Sequence, residues 1–197
     1  KTSNFIVWLF LFLAILTFPV LFYDNHISSE IFDISTIGYF ALMVALAFTW
    51  NILYYQGIKT ESVQEFQPIL MLSPLFVVLI TPLFYPEEAN IQIFYIALIA
   101  AAVLVFSHLE EGHFKLKKET LGLLVCVVLM SVEIIVIKKL LFSFAPATLY
   151  FFRCFVLFLL FFVFYRHHIK EVDGIMPNLS GILLTSGLGV AQMIARF

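Results

Sequence analysis

The chain has 197 residues, of which 62% are hydrophobic and only 12% charged, and its net charge is -2. Soluble domains average about 45–50% apolar and about 25% charged residues, so this composition leaves too little polar surface to cover a water-facing globule. The near-neutral balance gives no basic face for nucleic acid, and Cys126 and Cys154, both inside apolar runs, exclude a disulfide framework or a Cys-rich metal centre.

A bilayer span needs about 20 mostly apolar residues, because about 30 Å of hydrocarbon is crossed at about 1.5 Å per residue. Seven runs meet this: Phe5–Tyr23, Ile37–Tyr55, Phe66–Tyr85, Ile91–Leu109, Leu121–Leu140, Thr148–Tyr165 and Leu179–Phe197. None alternates with the two-residue period of a barrel strand, and backbone polar groups in lipid must be satisfied internally, so the runs predict helices. The expected fold is all-α, a polytopic transmembrane helical bundle with seven spans. The first run is too long for a signal-peptide core and is followed by Asp24-Asn25-His26 rather than small residues. The chain opens on Lys1 and stops inside an apolar run, and so reads as a piece of a longer protein. The polar connections are too short to hold a soluble catalytic domain, which puts the activity inside the membrane.

Small residues recur every four positions at Ala41 and Ala45, Ala97 and Ala101, and Gly187, Ala191 and Ala195, which predicts closely packed helix faces. In the sixth run Phe151, Phe152, Phe155, Phe158, Phe161, Phe162 and Phe164 go around the helix without a polar face, the pattern of a lipid-facing element. Pro74 and Pro82 free backbone carbonyls in the third run and predict a kink there.

Two charges lie deep in apolar runs, Glu133 and Arg153. Each is ten residues from Ser143, so in an antiparallel hairpin both sit about 15 Å deep, where they can pair. A charge at the bilayer centre costs about 2.5–3.5 kcal/mol on insertion scales, so each must face the bundle interior, a water-filled cavity or a partner. Two roles stay open: an ion pair that fixes helix packing, or a substrate or proton site. Trp50, Asn51, Tyr54 and Gln192 complete the candidate binding or coupling set, with Thr49, Gln67 and Arg196 as weaker members. Against this, amides also join helices, and Trp50 and Tyr54 fit an interfacial belt.

No catalytic constellation accompanies them. His26, His108, His113, His167 and His168 fall in loops or at helix ends, without the i, i+4 spacing of a helical metal pair, and no Gly-rich phosphate loop is present. No metal, cofactor or enzymatic activity is therefore expected, and the partners are the lipid bilayer and a small-molecule solute, with a proton as candidate coupling ion.

The stretch Leu53-Tyr54-Tyr55-Gln56-Gly57-Ile58-Lys59-Thr60-Glu61-Ser62, then Leu72-Ser73-Pro74-Leu75-Phe76 and Pro86-Glu87, resembles the EamA family of the drug/metabolite transporter superfamily. Gly122, Lys138-Lys139-Leu140, Pro146 and Arg153 resemble the opening of that family's second repeat. The chain departs from the family pattern at Pro86, where Gly is usual, at Ala102-Val103, and in the polar Gln64-Glu65-Phe66-Gln67.

The resemblance implies a ten-helix transporter of two inverted five-helix repeats, of which this chain supplies the second to the eighth helix. Residues 1–110 are then a first repeat lacking its first helix, and residues 119–197 the first part of the second. A weak internal echo, Ser35 with Gly38 against Ser180 with Gly181, accompanies this division. Such transporters bind substrate near the midplane, between repeats, and move it by alternating access. The implied function is a permease or exporter of small organic solutes in the plasma membrane. A seven-helix receptor or sensor is the alternative that helix count alone suggests, and an intramembrane enzyme ranks behind it.

Orientation stays divided. Seven Lys and Arg lie on the side of Lys1 and only Lys138 and Lys139 opposite, which places Lys1 in the cytoplasm, whereas the resemblance implies the reverse.

Overall fold

A computed structural model describes residues 2–22, 33–60, 69–70, 72–88, 90–110 and 118–170. Among these the chain is helical, without a β-strand. The α-helices are α1 (Thr2–Thr17), α2 (Ile34–Thr60), α3 (Ser73–Phe84), α4 (Ile91–Glu110), α5 (Lys118–Leu140) and α6 (Pro146–Lys170). Length and hydropathy qualify Ile34–Gly57, Leu121–Leu140 and Pro146–Tyr165 to cross a membrane, while Phe5–Thr17, Ser73–Phe84 and Ile91–Val103 are shorter apolar helices. The chain is an integral, multi-pass membrane protein. The seventh expected run, with Gly187, Ala191, Gln192, Ala195 and Arg196, lies outside the described residues.

Local chemistry sets the helix ends. The first apolar run was expected to be one helix to Tyr23, but α1 stops at Thr17 and a 3-10 turn, Phe18–Phe22, follows. Pro19 brings no N–H to the ladder and its ring crowds the preceding turn. The buried Thr17 hydroxyl donates to the Leu13 and Ala14 carbonyls, at 2.8 and 3.2 Å, in the last turn of the helix. Helix α2 starts where the Asp33 carbonyl accepts the Ile37 N–H (3.0 Å), and Ser35 Oγ donates to the Asp33 carboxylate.

Pro74 follows directly on the break between helical Ile69–Leu70 and α3. It falls in the first turn of α3, where a missing N–H breaks no intrahelical bond. Pro82 does lie inside α3, and beside it Thr81 Oγ1 donates to the Val77 carbonyl at 2.7 Å. Past the 3-10 turn Pro86–Glu88, Asn90 caps α4: its Oδ1 accepts the Gln92 N–H at 2.9 Å and the Ile93 N–H at 3.4 Å. Helix α5 closes with the Ser143 and Phe144 N–H groups both on the Leu140 carbonyl, and Pro146 opens α6.

The chain divides into two compact units, Lys1–Phe40 with Leu140–Phe197, and Ala41–Lys139. In the first, α1 packs along α6. Ile6, Phe10, Leu13 and Ala14 are buried on α1, and Cys154, Leu157 and Phe161 on α6. The phenylalanines of α6 are therefore not uniformly lipid-facing. Phe161 is fully buried and stacked on Phe10, ring centroids 5.5 Å apart, and Phe151 meets Phe18 at 5.8 Å, whereas Phe152, Phe155, Phe162 and Phe164 are exposed. An all-apolar helix carries no polar stripe to mark its lipid side, so only the partner helix selects which rings are covered.

In the second unit Ile69, Leu123 and Val127 form a core on which Tyr54, Leu70, Phe76 and Leu124 pack. Helix α3 packs on α4, and at the end of α5 the Lys138 ammonium lies 4.8 Å from the centroid of the Tyr85 ring. Ala101 is buried and Ala97 half-buried, as their spacing predicts. Ala41 and Ala45 instead stand exposed, so that pair makes no packed face among the described residues. The outer surface of α4 carries Ile91, Ile93, Ile96, Ile99 and Val103, all exposed, a surface suited to lipid and costly in water.

Candidate functional site

Helices α2 and α5 run antiparallel at their contact: Tyr54 packs on the Leu123 and Val127 level of α5, and Trp50 reaches Cys126 and Glu133. Cys126 and Glu133 are seven residues apart, two helical turns, and so share the face of α5 that meets α2. Side chains on a helix lean toward its N-terminus, which lets the Trp50 indole extend along α2 toward Glu133 while its backbone stays level with Cys126.

Glu133 is buried, 3% exposed, and its Oε2 accepts the Trp50 Nε1–H at 2.5 Å. A buried charge is tolerated only with partners, and this charge-assisted bond is one of them. The Cys126 thiol donates to the Trp50 carbonyl across the same seam, at 3.4 Å. The Trp50 ring stands edge-to-face on Tyr54, centroids 6.1 Å apart, and Tyr54 does the same with Tyr55 at 5.2 Å. A buried carboxylate thus heads a row of three aromatic rings.

The neutral polar side chains nearby are turned to backbone. Asn51, buried, donates one Nδ2–H to the Ala47 carbonyl of its own helix at 2.7 Å. Thr49 is exposed and donates to the Ala45 carbonyl at 2.8 Å. Ser131, fully buried, divides its hydroxyl between the Val127 carbonyl at 2.8 Å and the Ser73 carbonyl of α3 at 3.2 Å, tying α3 to α5.

Of the sequence-expected residues, Glu133, Trp50 and Tyr54 are brought together, with Asn51 one residue from Trp50 on the same helix. The Trp50 indole is engaged on Glu133 rather than serving only as an interfacial anchor. Arg153 is half-buried on α6 and belongs to the other compact unit. Gln67, Gln192 and Arg196 lie outside the described residues. Sequence reasoning missed Cys126 and Ser131. The seven-residue spacing of Cys126 from Glu133 was the available signal for the first, and a hydroxyl two residues from a buried charge for the second.

No curated protein and no solved structure matches the chain. The EamA-like transporter family matches residues 2–108, just over half of the chain, from α1 into α4. That match, over a stretch of apolar helices, shows that the chain belongs to the EamA-like transporter family.

Proposed function

We propose that the protein is a secondary transporter of small organic solutes, working by alternating access, with the α2–α5 seam around Glu133 and Trp50 as its solute or coupling site. The observation that carries this reading is the buried Glu133 carboxylate, held on an indole inside a span. Intramembrane ionisable residues are expensive and mark substrate or ion pathways. On this reading the chain contributes seven spans to a ten-helix bundle, the second through the eighth. Residues 1–110 and 119–197 belong to its two inverted repeats, and the solute binds between them near the bilayer midplane.

Arg153, at matching depth by residue count, is the proposed charge partner of Glu133 in the solute-free state, and a proton is the proposed coupling ion. The plasma membrane is the proposed location. Reconstituting the full-length protein in liposomes and measuring uptake across a panel of amines, amino acids, sugars and organic acids tests the reading. Saturable flux of at least one class is expected, with Glu133→Gln lowering it at least tenfold while the variant still inserts. Absence of flux for every class, or full activity in Glu133→Gln, overturns it.

A further inference from the structure

Thr17, Thr49, Thr81 and Ser131 each donate their hydroxyl to the carbonyl four residues back in their own helix. Thr148 breaks this habit. It is 2% exposed, and its Oγ1 is buried without a hydrogen-bond partner among the described residues. A buried hydroxyl is costly to leave unpaired, so a partner is called for from outside the helix.

Its position says what kind. Thr148 is the third residue of α6, after Pro146 and Ala147, and the Leu149 N–H, on the Ala145 carbonyl at 2.9 Å, begins the ladder behind it. The N–H groups of Ala147 and Thr148 come before that bond and are the orphan donors of a helix start. A helical Cβ tilts toward the N-terminus, which aims the Thr148 hydroxyl at the same end. Helix α4 satisfies such donors with its own Asn90 Oδ1, whereas the residue before α6 is Ala145, which has no side-chain acceptor. The surroundings are apolar: Phe144, Ala145, Ala147 and Leu149 are buried as well, and the Phe144 ring stacks on Phe40, centroids 6.1 Å apart.

Donors at the positive end of a helix select an acceptor with negative charge. A carboxylate brings one charge and two oxygens to one hydroxyl and two N–H groups, whereas a phosphate brings more oxygens than these donors satisfy in a dry site. From this juxtaposition we infer that the first turn of α6 binds an alkyl carboxylate, its oxygens on Thr148 Oγ1 and the Ala147 and Thr148 N–H groups and its chain against Phe40 and Phe144. The ligand enters from the preceding turn, where Leu141 and Phe142 are exposed. Glu133 belongs to the other compact unit, so the inference stands without the transport reading.

A free acid in water and a fatty acid in the bilayer carry the same headgroup, and two arms tell them apart. The purified full-length protein in detergent is titrated calorimetrically with butyrate and, at equal ionic strength, with butyramide. In phosphatidylcholine nanodiscs its unfolding midpoint is compared with oleate and with oleyl alcohol, since a ligand of the folded state raises it. Butyrate is expected to bind saturably and at least about tenfold more tightly than butyramide, Thr148→Val to weaken it at least about tenfold, and Thr148→Ser to stay close to the parent. Thr148→Ala serves if Thr148→Val fails to fold, and the carboxylate-to-amide comparison on the parent needs no variant. A midpoint raised by oleate and not by oleyl alcohol, lost in Thr148→Val and without butyrate binding, assigns the carboxylate to the lipid. No response to either acid, equal binding of butyrate and butyramide, or undiminished binding in folded Thr148→Val or Thr148→Ala overturns the inference.

Discussion

Trp50 Nε1 and Glu133 Oε2 meet across 83 residues of sequence, and that distance explains why only half of the pair was legible beforehand. A charge in an apolar run marks itself, because burying it is costly wherever it ends up, so Glu133 and its depth could be read directly. Its partner could not, since nothing local to Trp50 says which helix it faces, and an indole suits both an interface and a buried carboxylate. Asn51 shows a bond that composition does not announce, one amide N–H given to the carbonyl one turn back in its own helix. Ser131→Ala removes the hydroxyl bond to Ser73, and bonds of this kind in membrane proteins average about 0.6 kcal/mol. Unfolding in mixed detergent is expected to show a loss below about 1 kcal/mol, well short of the two to three times larger loss expected where a buried donor is orphaned. Phe161→Ala is expected to cost about 3–5 kcal/mol by the same measurement, because it leaves a void against Phe10.

Among elements, existence and boundary were legible to different degrees. Runs of apolar residues announce helices because lipid admits no unsatisfied backbone, so each of the six described α-helices overlaps an expected run. Their ends are set by single residues that hydropathy treats as neutral or apolar. Pro19 lies just past the end of α1, and Pro74 sits in the opening turn of α3. Asn90, a polar break before an apolar run, marked the start of α4 correctly. Asn90→Ala is expected to destabilise the protein by about 1 kcal/mol and Asn90→Asp by much less, since the aspartate still accepts the helix N–H groups. Pro82→Ala restores a donor opposite the Val78 carbonyl. It is expected to raise stability by about 0.5–1.5 kcal/mol in thermal unfolding, with any loss of flux reporting that the break in α3 serves transport.

At the scale of the whole molecule, composition alone placed the chain in a membrane, and the order of weak motifs from Tyr54 to Glu87 pointed to its family, which the match over residues 2–108 establishes. The exposed phenylalanines of α6 and isoleucines of α4 are the same kind of residue as the buried ones, so which side meets lipid was not legible from hydropathy. It emerges only when α1 covers Phe161 and leaves Phe162 bare.

The lysines that close α5 are neighbours in sequence with unequal surroundings. Lys138 rests its ammonium over the Tyr85 ring, while Lys139 is exposed. Acylation requires a free, approachable amine, so an amine-reactive ester is expected to modify Lys139 several-fold faster than Lys138, and Tyr85→Ala to erase the difference; equal rates in the parent contradict it. Used in sealed vesicles with a reagent that does not cross lipid, the same pair becomes a compass. Modification from outside places the α5–α6 turn on the outer face, protection places it within, and the two opposed orientations are told apart by a mass spectrum.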